Sequence, residues 1–138
     1  MSAAVGIEYE FPPNLLALIE KARDAERLAQ REAARRHYDT VLGKLDRSTP
    51  PCAVAAIMRW IGRTHIDDAD LDAALDCFTS ALAISQQGED LPGVAHAFNL
   101  MAIAHQQRGD LDEAERWYLR AHDMAGEVGE LALAAMID

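Results

Sequence analysis

Cysteine, positive charge and long apolar runs are scarce in this chain, and each scarcity excludes a class of protein. Cys52 and Cys77 are the only cysteines among 138 residues, which excludes a disulfide framework and favours a reducing, cytoplasmic location. No segment approaches the roughly 20 apolar residues that a transmembrane helix needs. Residues 1–10 carry no basic start and no apolar stretch, so they are not interpreted as a signal peptide.

The charge balance is strongly acidic. The chain has 13 lysines and arginines against 23 aspartates and glutamates, which gives a formal net charge of −10. Such a surface repels a nucleic acid duplex and an anionic membrane, so neither is expected as a partner. Lys21 and Lys44 are the only lysines, and this preference for arginine in an alanine-rich chain favours a bacterial source.

Motifs that carry chemistry are missing from the sequence. It contains no His-Glu-x-x-His, no Cys-x-x-Cys and no glycine-rich loop ending in lysine, which argues against zinc and phosphate sites. The acidic run at residues 67–72 lacks the glycine and closing glutamate of a calcium loop, and it is interpreted as a solvated turn. We therefore predict a non-enzymatic protein with no metal and no cofactor.

What the chain does have is a pattern that recurs at a fixed interval, with a period of about 40 residues. Ile61-Gly62 and the segment 69–74 return as Met101-Ala102 and the segment 109–114. Apolar residues follow helical spacing between these sites, and alanine-rich segments with few β-branched residues favour helix. A fixed period of this size is typical of stacked units that cannot bury their apolar faces alone.

Capping residues divide the chain into helices. Asn14 is predicted to cap the first helix, and Asp70 and Asp90 are predicted to cap later ones, because their side chains accept hydrogen bonds from free amides. Gly109 is predicted to end a helix with a positive φ.

These residues resemble the tetratricopeptide repeat family. The run Gly109-Asp110-Leu111-Asp112-Glu113-Ala114 resembles the family's Gly-Asp-Tyr-Asp-Glu-Ala turn, and Tyr118 and Ala121 match the positions after it. His65 and His105 depart from the family's tyrosine on the first helix. The family period is about 34 residues, and the longer period here resembles its long-helix variant.

The resemblance implies an all-α, right-handed α-solenoid of three helix-turn-helix repeats with a partial or capping helix at the C-terminus. We expect an arm at residues 1–13 and a repeat domain at residues 14–138. The predicted parts of that domain are repeats 15–54, 55–94 and 95–128, followed by a terminal helix at 129–138.

In this family the first helices of the repeats line a concave groove that binds proteins or peptides. The non-core residues predicted to line it here are Arg23, Arg59, Trp60, Arg63, His96 and Asn99. Their arginines favour an acidic, extended or helical segment of a partner, because guanidinium groups pair with carboxylates. The alternative is that the arginines pair with Glu20, Glu26 and Asp67, and that Trp60 only packs between repeats.

Two other functions stay open at this point. The apolar tail formed by Leu131, Leu133, Met136 and Ile137 favours a homodimer or scaffold joined through the terminal helix. A regulatory or sensor module that binds a peptide or a small ligand is the second alternative to an adaptor.

Overall fold

The protein is built from helices that follow one another along the chain. A computed structural model describes the backbone of residues 9–137 and the side chains of residues 9–130, and no strand occurs in that part of the chain. The helices are α1 (Pro13–Arg27), α2 (Arg31–Lys44), α3 (Pro51–Asp67), α4 (Leu71–Gln87), α5 (Leu91–Arg108) and α6 (Leu111–Ile137). The predicted all-α fold is confirmed.

The helices form three hairpins that stack in sequence order. Each helix packs against its neighbours in the chain, and α3 also contacts α5. The apolar core is divided accordingly. One cluster joins the first hairpin to α3 through Tyr38, Ile57 and Ile61, and the other joins the second hairpin to α5 through Phe78 and Met101. Each hairpin is therefore completed by the first helix of the next, which is the behaviour expected of stacked repeats.

The turns inside the three hairpins are alike. Ala29, Ala69 and Gly109 occupy the same position of successive repeats and take φ values of 58°, 60° and 94°. In each turn the next amide donates to a carbonyl five residues earlier, at 2.8–2.9 Å, a bond that satisfies a carbonyl at the helix end. The end of α5 at Gly109 is thus confirmed.

Two of the predicted helix caps are also confirmed, and the third is wrong. Asp70 Oδ1 accepts a hydrogen bond from the amide of Ala73, and Asp90 Oδ1 accepts one from the amide of Gly93. Asn14 is not a cap, because α1 already begins at Pro13. Proline suits a first helical turn, where its fixed φ fits and its missing N–H is not needed.

The hairpins also begin earlier than the predicted repeats. Helix α3 begins at Pro51, and α5 begins at Leu91 with a proline in its first turn. In both helices the position of a proline accounts for the earlier start, because proline suits the first helical turn. The predicted boundaries at 54/55 and 94/95 therefore fall inside helices. Residues 1–8 of the predicted arm lie outside the described residues.

The predicted separate terminal helix from residue 129 is wrong. Helix α6 runs unbroken for 27 residues, through Gly126 and Gly129. Each glycine costs a helix about 1 kcal/mol relative to alanine, but residues 126–130 offer no serine, threonine, asparagine or aspartate to cap a new helix. Continuing α6 keeps the backbone hydrogen bonds, so the two glycines do not end it. The side chains of the apolar tail lie outside the described residues.

A glycine sets how closely α3 and α4 approach. A Cβ atom at Gly62 would lie 2.5 Å from Cε1 of Phe78 and 3.0 Å from Cβ of Cys77. Phe78 is completely buried, so its ring fills the space that a methyl group at residue 62 would need. The first and third hairpins carry Ala22 and Ala102 at this position.

Within residues 9–137, none of the helices combines the length and apolar character that crossing a membrane requires.

Candidate functional site

The first helices of the three hairpins carry every residue predicted to line the groove. Arg23 lies on α1, the three residues Arg59, Trp60 and Arg63 lie on α3, and both His96 and Asn99 lie on α5. The interactions divide them into two groups: one spans α1 and α3, and the other spans α3 and α5. Asn99 is exposed on α5, about one turn beyond His96.

Trp60 is the centre of the first group. The guanidinium carbon of Arg23 lies 4.8 Å from the centre of its ring, a distance at which a cation is attracted to an aromatic face. The ring also approaches Tyr38 of α2 at 5.9 Å, and Trp60 is half-buried against the core of the first hairpin. Trp60 therefore packs between hairpins and also supports an exposed arginine.

Arg63 is held by a carboxylate of the neighbouring hairpin. Its Nη2 lies 3.3 Å from both carboxylate oxygens of Glu26. The hydroxyl of Tyr38 donates to Glu26 Oε2 at 2.5 Å. Arg63 therefore pairs with Glu26, as the alternative interpretation of the sequence expected. The charge of Arg63 is already compensated by this carboxylate.

The same contacts control the ionisation of Tyr38. Burial of the hydroxyl, followed by its hydrogen bond to Glu26 and the charge of that carboxylate, raises the pKa of Tyr38 well above its ordinary value of 10. The folded protein therefore keeps this proton at a pH where the unfolded chain has lost it.

A loss of stability in alkali follows from this shift. Above about pH 10 the unfolded chain binds fewer protons than the folded protein, so the free energy of unfolding falls by about 1.4 kcal/mol per pH unit. Urea unfolding of the wild-type protein and of Tyr38→Phe checks this. We expect the variant to be less stable at about pH 8, where it lacks the Glu26 hydrogen bond, and the difference to shrink by about pH 11. Parallel pH profiles would contradict the assignment to Tyr38.

Arg59 is the arginine of the second group. Its Nη1 is buried and has no hydrogen-bond partner among the described residues. Burial lowers the pKa of Arg59, and the negative charge of Asp90 opposes that shift. The carboxylate of Asp90 is engaged elsewhere, because it caps α5 and accepts a hydrogen bond from Ser85 at 3.3 Å.

His96 shares this positively charged environment. Partial burial lowers its pKa, and the charge of Arg59 lowers it further. A negative group placed beside His96 would therefore meet the positive charge of Arg59, which Asp90 offsets only in part.

The segment before α1 also contacts this surface, and sequence reasoning missed it. Phe11 packs on Trp60 with ring centres 6.3 Å apart, and Tyr9 meets Phe11 edge-on at 4.9 Å. Glu10, between them, is exposed. The only sequence signal for this contact was the alternation of aromatic and acidic residues just before a pair of prolines. The residues of a non-helical arm do not themselves indicate which helix the arm will contact.

Other arginines clamp neighbouring hairpins together. Arg35 Nη1 on α2 lies 2.7 Å from Asp68 Oδ2 and donates to the hydroxyl of Thr64 at 3.3 Å. Arg108 at the end of α5 pairs with Asp72 at 2.5 Å. The acidic run at 67–72, interpreted as a solvated turn, therefore supplies bridges between hairpins as well as the cap at Asp70.

Stacked helical hairpins whose first helices share one surface define a class, the α-solenoid repeat proteins. The tetratricopeptide repeat family model matches residues 53–127, more than half of the chain. The chain therefore belongs to the tetratricopeptide repeat family.

Solved structures share this fold at low sequence identity. The tetratricopeptide repeat domain of FLU from Arabidopsis superposes with a TM-score of 0.73 at 18% identity, covering 82% of this chain and 95% of that one. The N-terminal domain of stress-induced protein-1 from C. elegans gives a TM-score of 0.64 at 18% identity, covering 96% and 99%. Identities this low show the fold alone. A search of curated proteins found no match.

Proposed function

We propose that the protein is a non-enzymatic adaptor that binds an acidic segment of a partner protein on the surface formed by α1, α3 and α5. Tetratricopeptide repeats are in general protein-interaction modules, and family membership supports that coarser statement. The proposal that the bound segment is acidic and lies on this surface rests on one observation. Arg23 and the chain's own Phe11 both contact the ring of Trp60.

The charges on this surface favour a carboxylate ligand. The Arg23 guanidinium lies over the ring of Trp60, and the guanidinium group can make a bidentate contact with a carboxylate. Arg59 adds a buried nitrogen with no hydrogen-bond partner among the described residues. Arg63 contributes less, because Glu26 already pairs with it. Direct contact with the ligand therefore rests on the exposed Arg23, and the largely buried Arg59 contributes positive charge.

The arm supports a more specific partner chemistry. Tyr9, Glu10 and Phe11 belong to no helix, and together they form a short segment with aromatic residues on both sides of an exposed carboxylate. Aromatic side chains bring large contact areas at low entropic cost, which makes them good anchors. We infer that the partner segment is acidic and aromatic, and that it competes with Phe11 for Trp60.

A labelled peptide that copies residues 7–13 is a direct probe of this chemistry. Fluorescence anisotropy would measure its binding to the wild-type protein and to Phe11→Ala, in which the competing ring is removed. We expect tighter binding to Phe11→Ala, and affinity about 10-fold weaker when Arg23→Glu is added, which corresponds to about 1.4 kcal/mol.

Arg27→Glu is the matched control. Arg27 lies on the same helix, is highly exposed and pairs only with Asp24 among the described residues, so the change in net charge is identical. We expect this control to bind within about 2-fold of its parent, since surface charge pairs contribute little. Equal losses for Arg23→Glu and Arg27→Glu, or equal binding of a peptide with both glutamates changed to glutamine, would overturn the proposal.

A further inference from the structure

The last hairpin presents the face that the first two hairpins bury. Tyr38, Phe78 and Tyr118 occupy the same position of the three successive repeats. Tyr38 and Phe78 are 0% exposed, whereas Tyr118 is 37% exposed. Leu111 and Leu119 beside it are 66% and 58% exposed. No described helix packs over this face, which we call the end face.

The two internal interfaces reveal what the end face is built to accept. Helix α3 covers Tyr38 with Ile57 and Ile61, and helix α5 covers Phe78 with Met101 and Ala104. In both cases the cover is one apolar stripe of a helix. The end face has a groove of about 450 Å³, lined by Gln106, Leu111, Ala114, Glu115, Tyr118, Leu119 and His122.

The opposite end of the solenoid does not fit the end face. On α1, the positions equivalent to Ile57 and Ile61 are Ala17 and Lys21, and both are exposed. Asp24 follows them one turn later and is also exposed. Docking α1 of one copy on the end face of another would bury Lys21 and Asp24 on apolar groups, which is costly. Head-to-tail stacking of copies is therefore disfavoured.

We propose that the end face binds the end face of a second copy, in a symmetric dimer in which the two α6 helices cross antiparallel near Tyr118 and Leu119. A two-fold axis at that point brings apolar side chains of both copies together and closes the assembly. The polar groups are arranged to suit it, because an imidazole N–H can donate a hydrogen bond to a carboxylate. Glu115 and His122 lie at equal distances along α6 on either side of this centre, so Glu115 of each copy faces His122 of the other.

Sedimentation equilibrium of the full chain tests the dimer. We expect the wild-type protein to dimerise and Leu119→Glu to be monomeric over the same concentrations. Leu28→Glu is the matched control, because Leu28 is 69% exposed at the far end of α1, and it is expected to remain dimeric. Circular dichroism verifies folding of each variant. A monomeric wild type, or equal dissociation in both variants, would overturn the proposal.

A charge exchange tests the symmetry. In His122→Glu, two pairs of like charges face each other in the dimer, and we expect the affinity to fall about 5-fold. The double variant Glu115→Lys, His122→Glu replaces them with two opposite pairs and is expected to recover an affinity within about 2-fold of the wild type. A double variant no tighter than His122→Glu would rule out the antiparallel arrangement.

Discussion

Replacing Phe78 with alanine is expected to lower the free energy of unfolding by about 3–5 kcal/mol. The ring is completely buried where the second hairpin meets α5, among Ile66, Ala74 and Met101. Its removal leaves a cavity, and the loss is a large fraction of the roughly 5–15 kcal/mol that stabilises a domain. Urea unfolding followed by circular dichroism measures it.

Tyr118→Ala is the matched control for this substitution. Tyr118 occupies the equivalent position, but its ring is partly exposed and its hydroxyl bonds to exposed Gln106 at 2.8 Å. We expect a loss of about 1 kcal/mol, because less apolar area returns to water. Both measurements are made in the Leu119→Glu background, so that self-association does not contribute. Equal losses at the two positions would contradict the idea that each hairpin is completed by the next helix.

Alanine at Gly62 is expected to destabilise the protein by about 1–3 kcal/mol, even though alanine is the better helix former. The added methyl group would overlap the ring of Phe78 and crowd Cβ of Cys77. The core around Phe78 is closed on all sides, so relief requires α3 and α4 to separate. Thermal or urea unfolding of Gly62→Ala gives the value.

Alanine at Gly126 is expected to have the opposite effect on the stability of the protein. Gly126 lies within α6, and a Cβ there meets no atom within 4 Å. Gly126→Ala should therefore stabilise the protein by about 0.5–1 kcal/mol through reduced freedom of the unfolded chain. Stabilisation by both substitutions would mean that the close approach at Gly62 is not a constraint.

Local chemistry explains which parts of the fold the sequence predicts. Asp70, Asp90 and Gly109 act on the backbone within a few residues of themselves, so their roles can be recognised without knowing the tertiary structure. Asp70 has a second copy of its signal in Asp110, one repeat later. Asn14 had no such support, and a neighbouring proline decided where α1 begins.

The site was less predictable, because its contacts join different hairpins. The sequence predicts that Arg23, Trp60 and Arg63 lie on the first helices of the repeats, but which partner each one meets depends on the rotation and spacing of α1 and α3. Glu26 pairs with Arg63, while Arg23 stacks on Trp60. The position of Phe11 depends further on the path of a non-helical arm. The end face is not predictable from the local pattern, because Tyr118 occupies the same repeat position as Tyr38 and Phe78 and differs from them in burial.

The nearest-neighbour packing of the helices also determines how the protein opens. The second hairpin has neighbours on both sides, whereas the first and third hairpins have one each among the described residues. Local unfolding therefore begins at the ends and moves inward, and amide hydrogens of α3 and α4 exchange with solvent last. Because α1 provides Arg23 and α6 provides Tyr118, the two surfaces proposed to bind partners both involve the hairpins that fray first, and occupying either surface would slow exchange at that end.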